Sequence, residues 1–154
     1  MNRRVREALV LLARPSNVWL AARTLGWMCM LPLLKRLMPL PRLVRLMSLP
    51  PRRRRAEAAE VQRTVHLVDR ICRVRGGNCL ERSLILYRCL TRAGAKPRLV
   101  AGIGKSSDEF VGHAWVTVAG EPLLDSPRAL EPYARLLAFG PDGTREAEHL
   151  GEGS

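Results

Sequence analysis

The sequence predicts an α+β fold: a helix that opens with a cysteine, packed on a small antiparallel sheet, with a helical, basic arm before them. Three observations predict it. After the Gly76-Gly77 pair, Cys79 begins a stretch in which Leu80, Leu84, Ile85, Leu86, Tyr87 and Leu90 recur as the buried side of a helix. From Val111 to Val118 the pattern changes to strict alternation, with His113, Trp115 and Thr117 on one face and Ala114, Val116 and Val118 on the other, the two-residue period of a strand. Finally, residues 1–60 hold 13 Lys/Arg against 3 Asp/Glu, so most of the chain's net charge of +12 belongs to its N-terminal part.

In order, residues 2–13 read as a short basic amphipathic helix with Val5, Leu9 and Leu12 on one side. Pro15-Ser16 breaks it, and Ser16 suits the cap of a second helix from about Asn17 to Leu31. Pro32, Pro39 and Pro41 interrupt a further apolar stretch. The run from Val18 to Leu34 falls short of a membrane span, because Arg23 lies inside it and Pro32 near its end. An interfacial or partner-binding amphipathic segment is the expectation, with plain packing against the following domain as the alternative. No apolar core followed by a small-residue cleavage site occurs, so no signal peptide is expected.

Pro50-Pro51 followed by four arginines, Arg52 to Arg55, marks a boundary. This run is either an electrostatic dock or a solvated linker. Val61, Val65, Val68 and Cys72 then step through a helix from Ala56 to about Val74, with His66 beside it as a surface histidine. The cysteine-led helix ends near Ala93, where Gly94 suits the left-handed cap. Residues Arg98 to Ile103 read as a strand, Gly104 to Asp108 as a loop, and Ala119-Gly120 as a tight turn into a third strand over Glu121 to Asp125. Residues 129–138 read as a short helix or an irregular packing segment. The polar, glycine-rich tail from Gly140 reads as loose. The expected division is a basic helical arm over residues 1–52, a catalytic domain over 53–140 and a flexible tail over 141–154.

Composition narrows the function. The apolar share of 47% suits one folded domain of ordinary type. Residues 61–154 carry 13 basic and 11 acidic side chains, so the domain with the chemistry is nearly neutral. The basic arm points to an anionic membrane surface or an acidic partner. No zinc-finger or RRM signature is present and aromatics are 5%, so nucleic acid is not expected as a partner. Among Cys29, Cys72, Cys79 and Cys89 there is no CxxC pair and no usual metal spacing. Free thiols in a reducing cytoplasm, without a metal or cofactor, are the expectation.

Cys79, His113 and Asp125 are the candidate catalytic residues. A cysteine at a helix start meets free N–H groups and the positive end of the helix dipole, both of which favour the nucleophilic thiolate. His113 on the second strand would take the thiol proton and return it to a leaving group. Asp125, at the end of the third strand, would hold the imidazole tautomer. The Cys79 N–H is a natural oxyanion donor. The same triad serves hydrolysis or amide formation, depending on whether water or an amine reaches the acyl-enzyme. A non-catalytic partner- or membrane-binding scaffold is the third alternative.

Asn78-Cys79-Leu80-Glu81-Arg82-Ser83-Leu84, Gly94, Gly102, Gly112-His113-Ala114-Trp115-Val116 and Leu124-Asp125 together resemble the transglutaminase-like leader peptidases of lasso-peptide biosynthesis, the B proteins of the microcin J-type processing family. The resemblance covers about residues 56–130. It implies a papain/transglutaminase-like core with Cys79, His113 and Asp125 as the triad. It also implies a ribosomally made precursor peptide as substrate, and a macrolactam synthetase that uses the freed core. A separate recognition protein would deliver the leader, since the chain lacks room for a fused domain of roughly eighty residues. Val111-Gly112 departs from the pair often found before the histidine, and the arm matches only in being helical and basic. The expected location is the cytoplasm, with the inner membrane face as a peripheral contact of the arm.

Overall fold

A computed structural model describes residues 15–50, 55–106 and 109–147. The helix expected over residues 2–13, the boundary segment 51–54 and the end of the tail lie outside the described residues. The first described helix, α1, spans Pro15–Leu37. It runs through Pro32, where the sequence reading ended it. Proline forfeits the bond to the carbonyl four residues back and costs about 3 kcal/mol inside a helix. Pro32 lies on the exposed side, while Met28 and Leu31 on the other side are buried and Leu34 packs against the same core. Burying a Leu or Met yields about 1.5–3 kcal/mol each, so the buried side outweighs the break.

Helix α2 (Leu40–Met47) starts after Pro39, with Pro41 in its first turn, where a missing N–H costs little. It buries Leu43, Val44 and Met47. Arg88 donates to the Leu46 carbonyl at 2.9 Å, closing the end of α2, and its guanidinium lies 4.5 Å over the Trp27 ring. Helix α3 (Ala58–Arg75) buries Val65, Val68 and Cys72 as their spacing predicts, and ends at Gly76 in the left-handed region (φ 73°). Helix α4 (Cys79–Ala93) is the hub, in contact with α1, α2, α3 and two strands. It ends at Gly94 with φ 90°, which glycine adopts without a Cβ penalty. His66 is exposed on α3.

Four antiparallel strands form one sheet in the order β3-β2-β1-β4. Strands β1 (Pro97–Ser106) and β2 (Glu109–Val118) pair along their whole length, from Pro97 opposite Val118 to Ser106 opposite Glu109. Both are longer than their apolar runs, because the hairpin continues outward past the core. Strand β3 is only Glu121–Pro122, shorter than the sequence predicts. Pro122 has no N–H to donate to a ladder, although Leu123 still bonds the Val116 carbonyl at 3.1 Å. A short helix, α5 (Pro127–Leu130), leads into β4 (Tyr133–Phe139), which pairs with β1. Residues 133–139 are thus a strand, where a helix or irregular segment was expected.

The core lies between α4 and one face of the sheet. Leu99, Val116 and Phe139 from the sheet meet Leu84, Ile85 and Leu90 from α4, and Met28, Leu31, Leu43, Val44 and Met47 from α1 and α2 belong to the same cluster. Beyond β4 the chain turns back. Gly140 and Thr144 bond across a turn, Glu146 N–H reaches the Ala138 carbonyl at 2.8 Å, and Glu146 pairs with Arg98. Tyr87 on α4 pins this return by donating to the Gly140 carbonyl at 2.6 Å.

Candidate active site

Cys79 is the first residue of α4 and is partly exposed. Asn78 caps the helix: its Oδ1 accepts the Glu81 N–H at 2.9 Å, and its carbonyl accepts the Arg82 N–H at 3.0 Å. The helix ladder therefore makes no use of the Cys79 N–H, which remains the natural donor to an anion forming at the sulfur. The entrance loop is braced by α1. Met28 Cε would lie 3.5 Å from a Cβ at Gly77, Arg75 reaches Cys29 Sγ at 3.4 Å, and Lys35 forms an ion pair with Glu81.

One turn further along α4, Ser83 donates to the Ala114 carbonyl at 2.8 Å, and the pair is buried. This bond ties the cysteine's helix to β2 at the residue beside His113. His113 sits at the margin of the covered part of β2, since Gly112 is exposed and Ala114 buried. Its Nε2 lies 3.4 Å from Asp125 Oδ1. Extending the β2–β3 register, in which Thr117 faces Pro122, puts residue 125 opposite Ala114, so the segment after β3 brings the carboxylate alongside even without a formal strand there. With Nε2 turned to Asp125, Nδ1 is the nitrogen left for exchange with a thiol. Among the described residues no hydrogen bond joins Cys79 Sγ to His113.

Two aromatic rings fix the imidazole. Trp115 stacks on it with centroids 6.0 Å apart, and Tyr133 of β4 tilts against it at 4.9 Å. Trp115 is 3% exposed, so it belongs to the interior and shields the imidazole at the same time. Gly102, opposite His113, makes room for this ring: a Cβ there would lie 2.7 Å from the Ala134 carbonyl oxygen and 3.0 Å from Trp115. Past Trp115 and Tyr133 lies a cavity of about 440 Å³, with Glu121, Glu131 and Arg135 among its polar walls.

Arg82 is a member of the site that sequence reasoning missed. Its guanidinium lies 3.7 Å from Asp125 Oδ1 and 3.6 Å from Asp69 Oδ1, and Asp69 also takes a 2.8 Å bond from Arg73. Arg82 thus links α3, α4 and the Asp125 segment by charge, at distances too long for direct hydrogen bonds. The available signal was its place three residues after Cys79, near the same face of the helix. Tyr133 was missed with its strand.

The remaining thiols are of another kind. Burial pushes the Cys72 and Cys89 thiols up to about 11 each, so both stay protonated and inert at neutral pH. Among the described residues, no three His, Cys, Asp or Glu side chains gather as a metal site.

A family model described as the transglutaminase-like superfamily matches residues 24–138. No curated protein and no solved structure matches the chain.

Proposed function

The chain belongs to the transglutaminase-like superfamily, and from that premise we propose that it is a cysteine peptidase that cuts the leader from a ribosomally made lasso-peptide precursor. The superfamily implies thiol chemistry of the peptidase or acyltransferase type. The observation that carries the reading is the His113 Nε2–Asp125 Oδ1 pair at 3.4 Å, on a strand tied through Ser83 to the helix that Cys79 opens.

The reaction follows from these groups. His113 takes the Cys79 proton on Nδ1, and the thiolate attacks the carbonyl that joins leader to core. The Cys79 N–H stabilises the oxyanion. As the tetrahedral intermediate collapses, the C–N bond breaks and His113 protonates the departing core amine. Water then attacks the thioester, giving its proton to His113, and the leader leaves as a free acid. Asp125 steadies the imidazolium in both halves. The reaction needs Cys79 and His113 to come within hydrogen-bond reach in the complex, as such bonds often tighten only when substrate binds.

The partners in this reading are the precursor, a separate recognition protein that grips the leader, and a macrolactam synthetase that closes the freed core. The test is mass spectrometry of purified precursor incubated with the chain and the recognition protein. Leader release by the wild type, with loss of roughly a thousandfold or more in Cys79→Ala, supports the proposal. Release at the wild-type rate by Cys79→Ala refutes it. A product joined to an added amine in place of the free acid identifies an acyltransferase instead.

A further inference from the structure

The outer side of α1 has no role in the thiol chemistry, yet it carries six of the eleven exposed large apolar side chains among the described residues. Val18, Trp19, Leu25, Met30, Leu33 and Leu37 are all exposed there, Trp19 at 62%, Leu33 at 60% and Leu37 at 70%. At ~100° per residue these six fall within an arc of about 140°. The six lie between Val18 and Leu37 of the 23-residue helix, so the stripe runs for roughly 29 Å. A patch of this size on a folded chain calls for a covering surface.

Charge says what kind of surface. Helices α1 and α2 carry no acidic residue, while Arg23, Arg36, Arg42 and Arg45 are basic, and Lys35 is matched on the inner side by Glu81. Two copies of such a face would repel each other, and a neutral partner would leave the cations unmatched. No described helix is long and apolar enough to cross a membrane, so the stripe can lie on a bilayer but not span it.

A second observation stands at the edge of the stripe. Arg23, Arg63 and Arg92 line a pocket of about 180 Å³ that Trp19 also borders, with Glu60 as its one acidic lining residue among the described residues. Burial, and next the positive charge of Arg92, hold the Arg23 guanidinium below its usual range. Three guanidinium groups against one carboxylate leave this pocket short of negative charge, which a phosphate would supply.

We propose that the outer face of α1 docks on an anionic phospholipid bilayer, with a lipid phosphate seated in the Arg23–Arg63–Arg92 pocket. Trp19 sits at the polar boundary and Leu33 and Leu37 enter the acyl region. The proposal is independent of the peptidase reading, and its readout is not activity.

The test is sedimentation of the full chain with vesicles of phosphatidylcholine alone and of phosphatidylcholine mixed with phosphatidylglycerol. Retention on the mixed vesicles, weakened by salt and far lower on phosphatidylcholine alone, is expected. Leu33→Glu/Leu37→Glu should lose at least tenfold in retention with an unchanged melting curve. At about 1 kcal/mol per basic residue near the surface, or about fivefold, Arg23→Gln/Arg63→Gln should lose about 25-fold. The charge-matched control Arg73→Gln/Arg128→Gln should lose far less. Any one of three results would overturn the proposal: no retention on mixed vesicles, equal retention on both kinds, or wild-type retention by Leu33→Glu/Leu37→Glu. Capture by an acidic protein without vesicle binding would overturn it as well.

Discussion

Ser83→Ala isolates the link between the cysteine's helix and the histidine's strand. Ser83 is 2% exposed, and its hydroxyl donates to the Ala114 carbonyl at 2.8 Å. Alanine deletes the donor and leaves a buried carbonyl without its partner, a loss of about 1–3 kcal/mol. For a chain of this size each kcal/mol shifts Tm by about 2–4 °C, so a mid-range 2 kcal/mol predicts a fall of about 4–8 °C by circular dichroism. Activity should fall further than stability explains. The bond sets the distance between α4 and β2 one turn from Cys79, and a misplacement of about 1 Å can cost ~10²-fold in rate. Thr91→Ala is the control. Thr91 is equally buried, but it bonds the Tyr87 carbonyl of its own helix at 2.8 Å and does not reach the sheet. It should lower Tm while leaving single-turnover cleavage of the precursor near wild type. If Ser83→Ala melted with the wild type, or if both variants lost activity alike, the argument that this bond registers helix against strand would be wrong.

Four further outcomes follow from the same geometry. Asp125→Asn should keep the fold and lower precursor cleavage by orders of magnitude, because the amide can hold the wrong imidazole tautomer; cleavage within a few-fold of wild type would remove Asp125 from the site. Gly102→Ala would set a Cβ 2.7 Å from the Ala134 carbonyl oxygen and should cost about 1–3 kcal/mol, read as a lower urea midpoint. Tyr87→Phe should cost about 1–3 kcal/mol by leaving the Gly140 carbonyl unpaired, with faster proteolysis of the C-terminal return as a second readout. Burial raises Cys72 and Cys89 from 9.0 to about 11, and Tyr87 from 10.0 to about 12. The unfolded chain therefore loses these protons first, so the stability these three groups contribute should hold up to about pH 9 and fall from there toward pH 12, as melting curves across that range would record.

The helices were legible because each carries its own signal. The apolar steps of residues 61–72 and 80–90, with Gly76 and Gly94 behind them, are local features, and both helices end at those glycines. The alternation around His113 likewise placed β2. What failed was non-local. Tyr133–Phe139 does not alternate, and Leu136 is 53% exposed, because this edge strand draws its order from the backbone of β1. A register shift between Ala101 and Gly102 further obscures the pattern. Pro32 misled in the other direction, since its local cost is met by burial that only the folded chain supplies. At the site, residue types and chain order suggested Cys79, His113 and Asp125. Arg82 escaped notice because its meaning depends on Asp69 and Asp125, which lie 13 and 43 residues away in the sequence.

Helix α1 touches the doorstep of α4 through Met28 and Lys35, and it carries the greasy cationic flank on its other side. Whatever seizes that flank therefore has a mechanical handle on Gly77 and Glu81, two residues to either side of the sulfur. Thermodynamic reciprocity then works both ways. If gripping the helix tightens peptide capture by some factor, peptide capture must tighten the grip by that factor too. A chain engaged with its substrate would thus be slower to let go of whatever holds it.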